Sequence, residues 1–207
     1  MGDGGILRDG EQTAETPPKQ AGGRVADVDA WSIRPARESD LPRIHAIYND
    51  AILTTTATWD YEPWPWEQRL AWWHEHEADP TCPVFVADVA GEVAGFAYLS
   101  WFRPKAGYRF TREDTIYLDP AFHGSGLARP LLGRVVEAAR AEGMRTVLGA
   151  IEATNVRSIR LHEALGFVQT ARLPATGFKF GRWLDCVYLQ LVFPGPDGNE
   201  AEAQAQA

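Results

Sequence analysis

The segment Thr115–Arg129, TIYLDPAFHGSGLAR, places a β-rich run, a turn and a glycine-rich loop directly before the start of an amphipathic helix. Gly124 and Gly126 let the backbone turn tightly and approach a ligand closely. The first amides of the following helix have no intrahelical partner and lie at the positive end of the helix dipole. The segment therefore predicts a loop that holds a pyrophosphate through backbone amides. An ordinary strand-to-helix turn is the alternative.

Two common phosphate-binding loops are excluded by the residues that follow Gly126. A P-loop requires Gly-Lys-Ser or Gly-Lys-Thr at its end, but Leu127 and Ala128 come next in this chain. A dinucleotide fingerprint that begins at Gly124 requires a third small residue at the position of Arg129.

Composition limits the remaining possibilities. Residues 1–29 and 194–207 contain few large apolar side chains, which predicts disordered tails around one domain at 30–193. The initial segment lacks the apolar core and basic start of a secretory signal, and no stretch is apolar over the length of a membrane span. We therefore expect a cytoplasmic protein that does not bind membranes. Cys82 and Cys186 are too few for a disulfide framework. The net charge of −8, without a basic run, argues against nucleic-acid binding.

The hydrophobic pattern predicts an alternation of strands and helices, in the order βααβββαβαββ. Strands are predicted at residues 31–35, 84–89, 93–101, 115–118, 145–151, 167–173 and 183–193. Helices are predicted after Asp40, at 66–78, after the glycine loop and at 158–165. This order favours an α/β fold in which helices cover the two faces of a mixed sheet.

Together these features resemble the GCN5-related N-acetyltransferase (GNAT) family, whose co-substrate is acetyl-CoA. The family's loop pattern, Arg/Gln-x-x-Gly-x-Gly/Ala, is matched by Gly126 and Ala128, while His123 replaces the usual Arg or Gln. Most contacts of this loop come from backbone, so we expect weaker phosphate binding and retained function. Three further stretches resemble the phosphinothricin and methionine-sulfone acetyltransferase group: YRFTRE at 108–113, LHEALGF at 161–167 and GFKFGRWLD at 177–185.

The resemblance implies two catalytic residues. Glu113 matches the position of a general base, which would take a proton from the attacking amine. Asp114 is the neighbouring competitor for that role. His162 matches the position of an acid that protonates the leaving thiolate. Imidazole titrates near neutral pH, so His162 could donate that proton. A core histidine that bonds a carbonyl group is the alternative interpretation of His162.

The same resemblance implies contacts with acetyl-CoA. The expected contacts are Ile116, Tyr117, Leu118, His123, Gly124, Ser125, Gly126, Leu127, Ala128, Arg129, Asn155 and Ser158. Strand residues Tyr117 and Leu118 would pair with the pantetheine amides through their backbone, and one amide could polarise the thioester carbonyl. Helix capping is the alternative role of Asn155.

The acceptor pocket of the resembled group lies in the connection before Glu113. Residues implied to bind the acceptor are Arg103, Tyr108, Arg109, Asp114 and Thr115. Arginine offers paired donors that suit a carboxylate or phosphinate. Lys179 and Arg182 could serve the pocket or a dimer contact. The tryptophans at 59, 64, 66, 72 and 73 could line the substrate cleft, or they could belong to the core or to a subunit interface.

The sequence therefore predicts direct transfer of an acetyl group from acetyl-CoA to the α-amine of phosphinothricin, methionine sulfone or methionine sulfoximine, with Glu113 as base. The resemblance also implies a homodimer. We expect no metal, since the histidines at 74 and 76 point to different faces of a helix. Another acceptor (a polyamine, an aminoglycoside or a protein N-terminus) and a non-catalytic acyl-CoA sensor are the alternative functions.

Overall fold

A computed structural model describes Met1 and residues 31–194. The predicted tails lie outside the described residues, apart from Met1 and Pro194. The strands are Trp31–Pro35 (β1), Val84–Val89 (β2), Glu92–Trp101 (β3), Thr111–Leu118 (β4), Thr146–Glu152 (β5), Val168–Lys179 (β6) and Arg182–Val192 (β7). The helices are Leu41–Thr54 (α1), Trp66–Glu77 (α2), Ala128–Ala141 (α3) and Val156–Glu163 (α4). None of the described helices is long and apolar enough to cross a membrane.

The strands form one seven-stranded sheet in the order β1-β2-β3-β4-β5-β7-β6. Neighbours are antiparallel except for β4 and β5, which are parallel. The predicted mixed sheet and the predicted order of elements are thus confirmed.

The parallel pair β4 and β5 separates partway along its length. Paired positions run from Thr111 opposite Thr146 only as far as Asp114 opposite Gly149. Beyond that point β4 continues along β3, and β5 continues along β7. Because each strand follows a different neighbour, a gap opens in the middle of the sheet, and one edge of residues 115–118 faces it.

Helices cover both faces of the sheet with separate apolar cores. On one face, α3 buries Leu131, Leu132 and Val135 completely against β2 and β3. On the other face, α1 buries Leu41 and Ile44 against the sheet together with α2. Each such side chain contributes about 1.5–3 kcal/mol relative to an exposed one. Both α1 and α3 contact β4, so this strand is packed from both faces where it borders the gap.

Two predicted strand bounds differ from the structure by four or more residues, because a proline or polar residues weaken the strand pattern there. The predicted strand ends at Leu173, directly before Pro174, yet β6 continues to Lys179. A register shift between Leu173 and Gly177 accommodates the proline, and the displaced amide of Ala175 donates to Asp185 at 2.9 Å.

The strand β4 also begins four residues earlier than predicted, at Thr111. Its polar start is stabilised by Arg112, which is 1% exposed. The guanidinium donates to the carbonyl oxygens of Arg109 and Thr81 and stacks over the ring of Trp101 at 4.0 Å. A fully bonded buried arginine extends β4 where the sequence pattern suggested a loop.

Candidate active site

A cavity of about 340 Å³ lies on one side of the gap, and we call it the carboxylate cavity because Glu113 and Asp114 line it. Its other predicted site residues are Thr115, Ile116, Tyr117, Asn155, Ser158 and His162. The structure therefore brings both predicted catalytic residues into one cavity. Residues 113–117 reach it from β4, and His162 reaches it from α4.

Glu113 presents an unpaired carboxyl group to this cavity. The side chain is half-buried, and it makes no hydrogen bond to any residue between 31 and 194. Burial raises the pKa of Glu113 to about 7, the charge of Asp114 adds to the rise, and Arg103 partly opposes it. A carboxyl group with a pKa near 7 is a stronger base than an ordinary glutamate and can still be ionised at neutral pH.

Asp114 and His162 form a buried pair beside Glu113. The Nε2 atom of His162 lies 2.9 Å from Oδ1 of Asp114, and the two side chains are 2% and 1% exposed. The second ring nitrogen, Nδ1, lies 2.7 Å from the carbonyl oxygen of Ser158. His162 is thus a buried histidine that bonds a carbonyl group, as its alternative interpretation predicts. Burial opposes charge on the ring, but Asp114 and the Ser158 carbonyl outweigh it and raise the pKa of His162.

Aromatic side chains form part of the cavity wall, which we call the aromatic wall: Tyr48, Trp59, Tyr98 and Tyr117. Trp59 lies flat against Gly177 of β6, where a Cβ atom would be only 2.4 Å from the indole ring. Tyr48 donates from its hydroxyl to Asp60 at 2.8 Å. The buried amine of Lys179 donates to the carbonyl of Thr58 at 2.7 Å. The segment that carries Trp59 is therefore fixed from both α1 and β6.

A second cavity, of about 470 Å³, lies beside the glycine-rich loop, and we call it the loop cavity. Predicted site residues that line it are Ile116, Tyr117, Leu118, His123, Gly124, Ala128, Asn155 and Ser158. It shares part of its wall with the carboxylate cavity. The shared residues are Ala57, Ile116, Tyr117, Glu152, Asn155 and Ser158. One extended ligand can therefore reach from the loop to Glu113.

The loop has the geometry that an anion requires. Gly124 and Gly126 adopt φ angles of 82° and 85°, and the space where each Cβ would stand is open. Leu131 is the first residue after the loop whose amide bonds a backbone carbonyl, that of Leu127 at 3.1 Å. Within residues 31–194, no acceptor is found for the amides of Gly124, Gly126, Leu127, Ala128 and Arg129. These free donors at the start of α3 fit the diphosphate of a coenzyme A thioester.

Asn155 and Glu152 fix the wall between the two cavities. Asn155 caps α4 by accepting from the amide of Ser158 at 3.2 Å, which is the helix-capping role given above as its alternative. Asn155 also lines both cavities. The buried carboxylate of Glu152 accepts from the hydroxyls of Thr154 at 2.5 Å and Thr56 at 3.3 Å. Glu152 thereby ties the segment before Trp59 to the end of β5.

Several predicted residues do not line either cavity. Among the acceptor residues, Arg103 stacks on Phe102, Arg109 stacks on Phe110, and Tyr108 is 38% exposed. Arg103 is still close enough to Glu113 to lower its pKa. Predicted cofactor residues outside the cavity walls are Ser125, Gly126, Leu127 and Arg129. The Leu127 side chain is buried in the core, so only its backbone can serve a ligand.

The remaining candidates separate into wall, core and surface. Of the tryptophans, Trp59 lines the carboxylate cavity, Trp72 and Trp73 are core, and Trp66 packs against His45. Arg182 is exposed. Within the described residues, no group of three or more His, Cys, Asp or Glu side chains could hold a metal ion.

The sequence did not indicate several residues that complete the carboxylate cavity. These are Tyr48, Ala57, Thr58, Tyr98, Gly149, Glu152 and Cys186. They come from α1, β3, β5, β7 and the segment after α1, and no local motif marks them. Gly149 offered the one available signal, a glycine inside a predicted strand, which often indicates the close approach of another group.

Comparison with known proteins gives a consistent family. The model of the Acetyltransferase (GNAT) family matches residues 44–167. An L-methionine sulfoximine/L-methionine sulfone acetyltransferase from Pseudomonas aeruginosa is 45% identical over 161 residues, 77% of this chain and 93% of that protein. A phosphinothricin N-acetyltransferase from Alcaligenes faecalis is 37% identical over 176 residues, 84% of this chain and 87% of that protein.

A solved structure agrees with both the fold and the ligand that the loop fits. The structure of yncA from Salmonella typhimurium with its cofactor acetyl-CoA has a TM-score of 0.78 and 40% identity, and the match covers 82% of this chain and 99% of that one. The family model, the two relatives and the shared fold lead to one assignment. This chain belongs to the GNAT family of acetyltransferases.

Proposed function

We propose that this enzyme transfers an acetyl group from acetyl-CoA directly to the α-amine of a small amino acid of the methionine sulfone, methionine sulfoximine or phosphinothricin type. The observation that carries the proposal is the shared wall between the two cavities. It gives a ligand whose diphosphate binds beside Gly124 and Ala128 a path to the carboxyl group of Glu113. The names of the two relatives support the class of acceptor.

When bound, acetyl-CoA supplies an activated thioester, and the chain's own groups orient and deprotonate the acceptor. Amides at the start of α3 hold the diphosphate, and the edge of Ile116–Leu118 is available for the amides of the pantetheine arm. Glu113 accepts a proton from the amine as its nitrogen bonds to the acetyl carbon and the bond from that carbon to sulfur breaks. The released thiolate takes up a proton from water and Glu113 returns its proton to water, so that free thiol and amide are the products.

The acceptor's own carboxylate or phosphinate requires a cation near Glu113. Arg103 is close enough to affect the pKa of Glu113, and Arg109 and Tyr108 lie in the same connection between β3 and β4. Asp114 and Thr115 line the carboxylate cavity itself. We therefore assign Arg103 as the first candidate for the acceptor's acidic group.

We also propose that two copies associate through the hairpin of β6 and β7. Its outer surface carries Phe178, Phe180 and Trp183, which are 43%, 56% and 66% exposed, next to Tyr61 at 62%. Clustered aromatic side chains of this size are typical of protein interfaces. Light scattering after gel filtration would give the mass of a dimer, and a monomer at micromolar concentration would contradict it. A cytoplasmic location remains a prediction from the sequence.

The test is an acceptor screen that follows thiol release from acetyl-CoA. The panel contains methionine sulfone, methionine sulfoximine and phosphinothricin, with spermidine, an aminoglycoside and a peptide with a free N-terminus as competitors. We expect the three amino-acid analogues to give the highest kcat/KM. Preference for a competitor would contradict the acceptor class. Binding of acetyl-CoA by calorimetry without turnover on any amine would instead support the sensor.

A further inference from the structure

The Asp114–His162 pair lies where β4 and β5 part. Asp114 is opposite Gly149 at the last paired position of the two strands. A Cβ on Gly149 would lie 2.8 Å from Nε2 of His162 and 3.3 Å from Oδ2 of Asp114. The absence of a side chain at this position is therefore what allows the imidazole to reach the carboxylate. The pair joins α4 to β4 beside Glu113.

The hydrogen bonds of His162 determine where its protons lie. The Ser158 carbonyl can only accept, so Nδ1 carries a proton and donates it at 2.7 Å. The other nitrogen, Nε2, faces Asp114 Oδ1 at 2.9 Å. The bond to Asp114 and its charge raise the pKa of His162, which favours a proton on Nε2 as well. The pair is then an imidazolium bonded to a carboxylate.

This arrangement leaves His162 without a free N–H group. Both donors already point at protein acceptors, and the side chain is 2% exposed. A proton donor to a leaving thiolate would have to turn an N–H toward the ligand and leave a buried partner without its hydrogen bond, which is unfavourable. Asp114 already has one unpaired buried oxygen, Oδ2. The carboxylate therefore depends on His162 for its compensation.

We propose that Asp114 and His162 act as one positioning unit, in which the imidazolium offsets the carboxylate next to Glu113, and that His162 does not donate a proton to the thiolate. This inference rests on the proposed role of Glu113 as base. It extends that role by naming the pair that tunes how readily the base accepts a proton.

Other groups around Glu113 must be considered with the pair. The titratable or charged residues that interact with Glu113 from the packed elements are Tyr98 on β3, Arg103 after β3, Asp114 on β4, and Cys186 and Tyr188 on β7. Burial raises the pKa of the Cys186 thiol and of the Tyr98 and Tyr188 hydroxyls. These three groups are neutral near pH 7, so Asp114 and Arg103 are the charged neighbours that act on Glu113.

The test compares the pH profiles of kcat/KM for H162Q, D114N and the native enzyme. Loss of the imidazolium leaves Asp114 uncompensated, so H162Q should move the acid limb up by about half a pH unit or more. D114N removes the nearest negative charge and should move the limb down by a similar amount. H45Q is the matched control, because His45 is a partly buried histidine that bonds Asn49 outside both cavities, and its profile should be unchanged.

A second measurement does not depend on turnover. Nitrogen-15 NMR of the His162 ring at pH 7, assigned by its absence in H162Q, should show protons on both ring nitrogens. An unprotonated ring nitrogen would overturn the proposal. The proposal would also be overturned if H162Q and D114N are folded but do not shift the acid limb of the pH profile in opposite directions. If H162Q loses only the alkaline limb, His162 is a proton donor and the proposal fails. If no acceptor is acetylated, the proposed function fails while the NMR result still decides the state of the pair.

Discussion

The two cavities differ in how the chain builds them. At the loop cavity, the anion-binding groups come from one continuous stretch, because the backbone amides of the glycine-rich loop and the start of α3 supply them. The carboxylate cavity brings together side chains from β3, β4, β5, β7, α4 and the segment after α1. The first depends on backbone conformation and the second on charge and shape. Binding of acetyl-CoA and turnover of the acceptor should therefore respond to different substitutions.

The largest separation is expected from E113Q. Loss of the carboxylate should lower kcat/KM at neutral pH by roughly 10²- to 10⁴-fold, because the amine loses its base. Acetyl-CoA affinity by calorimetry should change less than about twofold, because the diphosphate binds elsewhere. E137Q is the control, since Glu137 is an exposed glutamate on α3 whose side chain is 73% exposed. Equal turnover of E113Q and E137Q would remove Glu113 as the base.

The pH dependence should identify the same group without any substitution. Burial and Asp114 raise the pKa of Glu113 to about 7, so the protonated, inactive form predominates below that pH. We expect kcat/KM to fall by about tenfold per pH unit on the acid side, while acetyl-CoA affinity changes little over the same range. An acid limb near the ordinary glutamate value of about 4.3 would contradict this assignment.

G126A should affect the loop cavity instead. At a φ of 85° an alanine costs roughly 1–2 kcal/mol, so the loop should relax and its amides should leave the anion-binding geometry. We expect acetyl-CoA to bind about tenfold more weakly, which corresponds to about 1.4 kcal/mol.

G143A is the matched control for the loop variant. Gly143 has a φ of 70° just after α3, so alanine there should lower the melting temperature without changing the calorimetric affinity. If G126A and G143A bind acetyl-CoA equally well, the loop amides are not the binding groups.

The smallest expected effect concerns the aromatic wall. In G177A the new methyl group would stand 2.4 Å from the Trp59 ring, so the indole should move into the carboxylate cavity. We expect the KM for methionine sulfone to rise about threefold to tenfold, since overpacking costs roughly 1–3 kcal/mol. Acetyl-CoA affinity should stay constant. G133A, where the nearest atom is 3.9 Å away, is the control, and an equal KM in both variants would show that Trp59 does not limit the acceptor.

The difference between a loop of adjacent residues and a cavity built from distant ones explains what could be predicted from the sequence. The loop was recognisable because Gly124, Gly126 and the helix start are adjacent in the chain, and their function depends on backbone geometry. Glu113 and His162 were found by their resemblance to a family. Trp59, Gly177 and Gly149 come together only in the folded sheet, so no spacing along the chain could reveal that one glycine makes room for the indole and the other for the imidazole.

The partnership of Asp114 with His162 could not be predicted for the same reason. The two residues are 48 positions apart and meet only because β4 and β5 part at Gly149. Likewise, the extension of β4 to Thr111 depends on the buried bonds of Arg112, which a polar sequence does not disclose.

The most direct test of the account is a crystal structure of the protein with acetyl-CoA and methionine sulfone. We predict that the diphosphate contacts the amides of residues 126–129 and that the thioester lies in the gap between β4 and β5. The acetyl carbon should then be no more than about 8 Å from the Glu113 carboxyl group, with the acceptor amine between them. A diphosphate bound away from the loop, or a Glu113 carboxyl group that does not face the amine, would contradict the account.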